Sequence, residues 1–130
     1  MSAMRFAVRF AALTAAALLA AGCDSDGNPA GATGNSITVA AGSGTNPTYT
    51  WTGGPVFEVR VSRTSDPVTP VWGVVTPGTD GIASPLAHGT VPSGAVATAM
   101  TEVALTPGTG YRVSVQRLNG TDYGEIDFTP

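Results

Sequence analysis

Three segments of the chain alternate apolar and polar residues with a period of two. Phe57, Val59 and Val61 interleave with Glu58, Arg60 and Ser62; Tyr111, Val113 and Val115 with Arg112, Ser114 and Gln116; Ile126 and Phe128 with Glu125, Asp127 and Thr129. Successive side chains of a strand point to opposite faces, so each apolar set is expected against a core and each polar set in solvent. Weaker strand patterns cover 36–40, 48–52, 70–75 and about 96–104. No window repeats apolar residues at helical spacing over three turns, and Gly or Pro interrupts nearly every candidate. Turn chemistry separates the strand patterns at Gly53-Gly54-Pro55, Ser65-Asp66-Pro67, 77–81, Pro107-Gly108 and Asn119-Gly120. Roughly six to eight short strands joined in this way point to an all-β antiparallel sandwich in preference to a small barrel. The stretch 76–95 is rich in Pro and Gly and reads as either a short edge strand around Ile82 or a long loop between sheets. Pro85 and Pro92 suit an edge, where a missing backbone donor costs little.

The hydrophobic content of 42% overstates the core, because much of it lies in the uncharged, Ala- and Leu-rich run 10–22. Arg5 and Arg9 are the only charges before it. A basic start, a short apolar run and small residues before a processing point make a secretory signal peptide. The run is too short for a membrane span, which needs ~20 apolar residues. It ends at the sole cysteine, Cys23. Leu19-Ala20-Ala21-Gly22-Cys23 resembles the lipobox of bacterial lipoproteins, with Leu19 one place before the family's preferred position. The resemblance implies cleavage before Cys23, diacylglycerol on its sulfur and a fatty acyl group such as palmitate on the new amine. The partner at this position is then a lipid bilayer, and the location is the bacterial cell envelope, outside the cytoplasm. Asp24 resembles an inner-membrane retention signal of some enteric bacteria, a rule that differs between groups. A single cysteine excludes an internal disulfide, a redox pair and a thiolate zinc cluster.

The expected organisation is a signal peptide over 1–22, a lipidated cysteine and flexible linker over 23–35, and one folded domain over 36–130. The linker holds no aromatic or β-branched apolar residue, so it cannot offset its own ordering entropy. Its 12 residues after Cys23 reach at most ~40 Å. Without residues 1–22 the balance is four Arg against nine acids, or −5 against the −3 of the whole chain, and there is no Lys. That acidity argues against a nucleic-acid partner. The size excludes a multidomain enzyme.

Leu105-Thr106-Pro107-Gly108-Thr109-Gly110-Tyr111-Arg112-Val113-Ser114-Val115 resembles the E–F corner of fibronectin type III domains, a branch of the immunoglobulin-like sandwiches. The resemblance implies that Leu105 is the strand E leucine. It makes Tyr111 the corner tyrosine, with its ring in the core and its hydroxyl bonded back to the loop backbone. It extends to Trp51 as a strand B tryptophan, to Phe57, Val59 and Val61 as strand C, and to Gly124–Phe128 as strand G. The expected core is therefore Trp51, Phe57, Val59, Val61, Leu105, Tyr111, Val113, Val115, Ile126 and Phe128. The 66–95 region is longer and richer in Pro and Gly than the family's corresponding segment.

Catalytic chemistry finds little to work with. His88 is the only histidine and reads as a solvated or hydrogen-bonded loop residue. A zinc site would need further ligands, and a Ser–Lys pair is impossible without Lys. Glu125 and Asp127 share one strand face, but on the expected solvent side. Asp122, Glu125 and Asp127 lack the ordered oxygen-ligand loop of an EF-hand. No catalytic residue, metal ligand or cofactor is expected, and the chain does not read as an enzyme. Asn119-Gly120-Thr121 fits a glycosylation pattern that matters only in a host with that machinery. The aromatic residues Trp72, Tyr49 and Tyr123 are the candidates for a binding surface; the strand of Trp72 is apolar on both faces, so that ring either packs in the core of a central strand or faces a partner. Two functions fit best, a binding module for protein, peptide or glycan, or a structural or assembly subunit of an envelope complex; a carbohydrate-processing enzyme accessory or weak hydrolase is a third and lesser alternative.

Overall fold

The structure is a computed structural model and describes residues 36–118 and 120–130. The signal peptide, Cys23, the linker and Asn119 lie outside the described residues. Eight strands occur in the described residues: β1 Val39–Ala41, β2 Thr48–Trp51, β3 Glu58–Arg63, β4 Asp66–Val75, β5 Leu86–Ala87, β6 Val96–Met100, β7 Tyr111–Gln116 and β8 Tyr123–Phe128. They form two antiparallel sheets, of order β1-β2-β5 and β6-β4-β3-β7-β8. The architecture is an all-β, immunoglobulin-like sandwich.

The period-two segments supply β3, β7 and β8 at the middle and one edge of the larger sheet. Val59, Val61, Val113, Val115 and Ile126 are buried, while their alternating neighbours Arg60, Ser114 and Glu125 lie on the outer face. Full burial of one such valine contributes about 1.5–3 kcal/mol. Trp51, Leu105 and Tyr111 are also buried, whereas Phe57 and Phe128 are only half-buried, Phe128 packing against the core. Phe57 precedes β3, and its backbone bridges Gln116 and Thr76 at the mouth of the loops.

Several placements resolve or overturn the sequence reading. Tyr49 and Trp72, candidates for a binding surface, are each 0% exposed. Tyr49 alternates with the exposed Thr48 and Thr50 on β2, so the pleat turns its ring inward. Trp72 lies on the inner face of β4, between β3 and β6, with rings of Tyr49 and His88 against it. Leu105 is buried but stands in a loop, and the preceding strand, β6, pairs with the β4 edge of the larger sheet, not with β2. The position beside β2 is taken by the two-residue β5. The hairpin turn after β3 occupies Thr64–Ser65, so that Asp66 and Pro67 already belong to β4. Opposite Ser62 and Arg63 that strand bulges, leaving Val68 83% exposed. Ile82 makes a single bridge to Val56, buried in the core.

Candidate functional site

The outer face of β3, β7 and β8 carries a trough of about 180 Å³ lined by Glu58, Arg60, Ser114, Gln116, Tyr123 and Glu125, with Val115 at its base. Strand register builds it. Glu58 stands opposite Gln116 and Gln116 opposite Tyr123, forming one row across the sheet; Arg60, Ser114 and Glu125 form the next. Neighbouring strands are ~4.8 Å apart, so each row presents polar groups at short, regular intervals. The short Ser114 between Arg60 and Glu125 leaves the depression. Tyr123 is the one large aromatic that is exposed among the described residues.

The charges of this face are unevenly paired. Arg112 binds Asp127 through Nε–Oδ1 at 2.6 Å and Nη2–Oδ2 at 3.0 Å, and lies 3.6 Å from Glu125. Hydrogen bonding to Arg112 holds the Asp127 carboxyl below its ordinary range and lifts the guanidinium above its own. Arg63 pairs with Glu102, and Arg117 with Asp122. The side chain of Arg60 alone among the arginines of the described residues makes no ion pair or hydrogen bond, and that of Glu58 makes none either. Gln116 uses one amide hydrogen on the Gly120 carbonyl at 3.3 Å, leaving its remaining donor and its oxygen for a ligand. Thus the trough offers donors, acceptors and a ring that the fold itself does not consume.

A second polar cluster lies inside the sandwich and reads differently. The His88 Nε2 is 2.8 Å from the carbonyl oxygen of Glu102, which can only accept, so Nε2 carries the proton. Nδ1 of the neutral ring then accepts from the Tyr49 hydroxyl at 2.9 Å. Burial pushes the His88 pKa down and that of the Tyr49 phenol well up, which favours these neutral forms. The Tyr111 hydroxyl accepts from the Thr106 backbone N–H at 3.0 Å and donates to Glu102 Oε2 at 2.5 Å. Arg63 Nε donates to the other carboxylate oxygen of Glu102 at 2.8 Å. Both His88 nitrogens, the Tyr49 and Tyr111 hydroxyls and both Glu102 carboxylate oxygens are engaged by the protein, so the cluster braces the loop 101–110 against the core. His88 is neither solvated nor placed beside a free nucleophile.

Of the three aromatic candidates, therefore, only Tyr123 reaches a surface that could meet a ligand. Arg60, Gln116 and Ser114 were absent from the sequence-derived site, because a solvent-facing polar alternation looks the same whether or not its charges are paired. Comparison of the chain with protein-family models, with curated protein sequences and with solved structures returned no match.

Proposed function

We propose that the chain is a non-enzymatic lipoprotein of the bacterial cell envelope, held to a membrane by acylated Cys23, whose sandwich is a binding module. The observation that carries the binding role is the trough on β3, β7 and β8, where Arg60 and Glu58 remain unpaired beside the exposed ring of Tyr123. The anchor rests on the run 10–22 and the Leu19–Cys23 sequence. The non-enzymatic reading is supported by His88, whose two nitrogens are both committed inside the core. Among the described residues, no three side chains of His, Cys, Asp or Glu are grouped to hold a metal ion.

The domain is read as fibronectin type III-like. The bond from the Thr106 backbone to the Tyr111 hydroxyl, five residues on, supports this, as does a sheet of β1, β2 and β5 facing one centred on β3 and β7. The β6 strand on the β4 edge is a departure from the strand arrangement that the resemblance implies.

Strand directions also orient the unit. Thr38, just before β1, is bonded to Thr52, beside the loops 52–57 and 117–122, and so the described chain begins at that end. Val68 and the loop 101–105, where Val103 is 52% exposed, lie at the opposite end. These exposed valines favour the second reading, a structural or assembly subunit that meets a fixed companion through its far end.

A photo-crosslinking residue introduced in place of Tyr123 or of Val68, in cells expressing the full chain, tests the two readings. The binding module requires adducts at 123 and few at 68. A stoichiometric protein adduct at 68 with none at 123 would replace it with the assembly subunit.

A further inference from the structure

The trough admits a narrower statement about its ligand, which rests on the binding-module reading. Its lining combines two carboxylates, one guanidinium, an amide, a hydroxyl and a phenol, all within two rows of three strands. An anionic ligand meeting Arg60 would also meet Glu58 and Glu125, and Glu125 is only loosely held by Arg112 at 3.6 Å. A cationic ligand would meet Arg60 in the same way. An apolar peptide side chain needs an apolar recess, and the trough offers none besides the Tyr123 ring, because the pleat turns the Val115 side chain into the core. A sugar ring has none of these conflicts. Its hydroxyls both donate and accept at short intervals, so one can take a hydrogen bond from Arg60 or the Gln116 amide while its neighbour donates to Glu58 or Glu125. Its C–H face is apolar and suits an exposed phenol ring such as that of Tyr123.

We infer that this trough binds a neutral saccharide unit of an envelope glycan, with Tyr123 as the stacking platform and Glu58, Arg60 and Gln116 as the hydroxyl-reading groups. The trough is shallow and open along the sheet, so affinity is modest per unit and longer chains bind through neighbouring units on the same face.

Calorimetric titration of the full chain in a sugar-free detergent tests this, with three probes: a neutral hexose oligomer, an N-acetylated amino-sugar oligomer and a uronic-acid oligomer. At least one neutral probe should bind, and the uronic-acid oligomer should bind at least roughly tenfold more weakly, a difference of about 1.4 kcal/mol. Arg60→Ala and Tyr123→Ala should each weaken neutral binding by about tenfold or more, Tyr123→Phe should retain most of it, and Val68→Ser should leave it unchanged. Thermal midpoints measured on the same samples separate loss of the site from loss of the fold, since both side chains are exposed. Failure of both neutral probes, preference for the uronic-acid probe, or indifference to Arg60→Ala and Tyr123→Ala would each overturn the inference. If crosslinking at position 123 still captured a peptide or protein, the module would stand and only its saccharide ligand would fall.

Discussion

At Tyr111 one hydroxyl ties three elements together: it accepts from Thr106, donates to Glu102, and through Glu102 reaches Arg63 on β3. Tyr111→Phe keeps the ring but strips a partner from a part-buried carboxylate and a backbone N–H. The expected loss is roughly 0.5–3 kcal/mol, read as a lower denaturation midpoint; an unshifted midpoint would remove the corner from the account. His88 gives a pH-dependent counterpart. Burial lowers its pKa beneath the ordinary 6.5, so the unfolded chain takes up the proton first as pH falls. Its contribution to stability is therefore full above that value and declines below it, until the folded ring itself protonates and releases the Tyr49 hydroxyl. Thermal midpoints taken between pH 7.5 and pH 5.5, roughly one unit either side of the free-histidine value, should fall more steeply in the wild type than in His88→Asn. Parallel slopes would mean that the ring's protonation is not linked to folding. The Tyr49–His88 pair was illegible in the sequence, because its members are far apart in the chain and only the pairing of β2 with β5 brings them together.

At the scale of elements, strands with one wet face were readable and the others were not. β3, β7 and β8 announce themselves by alternation, because the same pleat that buries Val59 or Val113 exposes Arg60 or Ser114. β4 is apolar on both faces between 71 and 75, so the pattern could not tell whether Trp72 faced the core or a partner. The sheet to which β6 belongs is set by a long-range choice of neighbour, and Val96–Met100 carries no charge pattern that encodes it. The trough was half legible: Tyr123 stood out as an aromatic, whereas the unpaired state of Arg60 exists only once registers are fixed. Gly124 on β8 marks a further element-level constraint. A Cβ there would lie 2.2 Å from the Ile37 carbonyl oxygen and 2.8 Å from Val39 Cγ2, so the chain entering β1 packs directly on the β8 backbone. Gly124→Ala must push these strands apart. It is expected to destabilise by about 1–3 kcal/mol, with faster amide exchange in β1 and β8. A midpoint within experimental error of the wild type would show that the two strands can separate freely.

For the whole molecule, the 42% hydrophobic content divides into two unrelated jobs. The run 10–22 reads as an export device, while the core of the sandwich rests on residues such as Val59, Trp72, Tyr111 and Val113. The folded unit is acidic and lysine-free, with four Arg against seven acids from residue 36 onward, or −3. That balance disfavours adhesion to anionic lipid surfaces, so the proposed membrane attachment rests on acylation of Cys23 and not on surface charge. The described chain begins beside the loops 52–57 and 117–122, and the outermost row of the trough, Glu58, Gln116 and Tyr123, lies at that same end, where β3 and β8 begin and β7 ends. In the proposed function, membrane attachment rests on one side chain, that of Cys23. The direct test is the intact mass of the protein extracted from membranes of a bacterial host, compared with Cys23→Ser. The wild type should have lost residues 1–22 and gained the mass of its acyl groups, and Cys23→Ser should persist as an uncut, unacylated precursor. Identical, unmodified masses for the two proteins would contradict the membrane-anchored module.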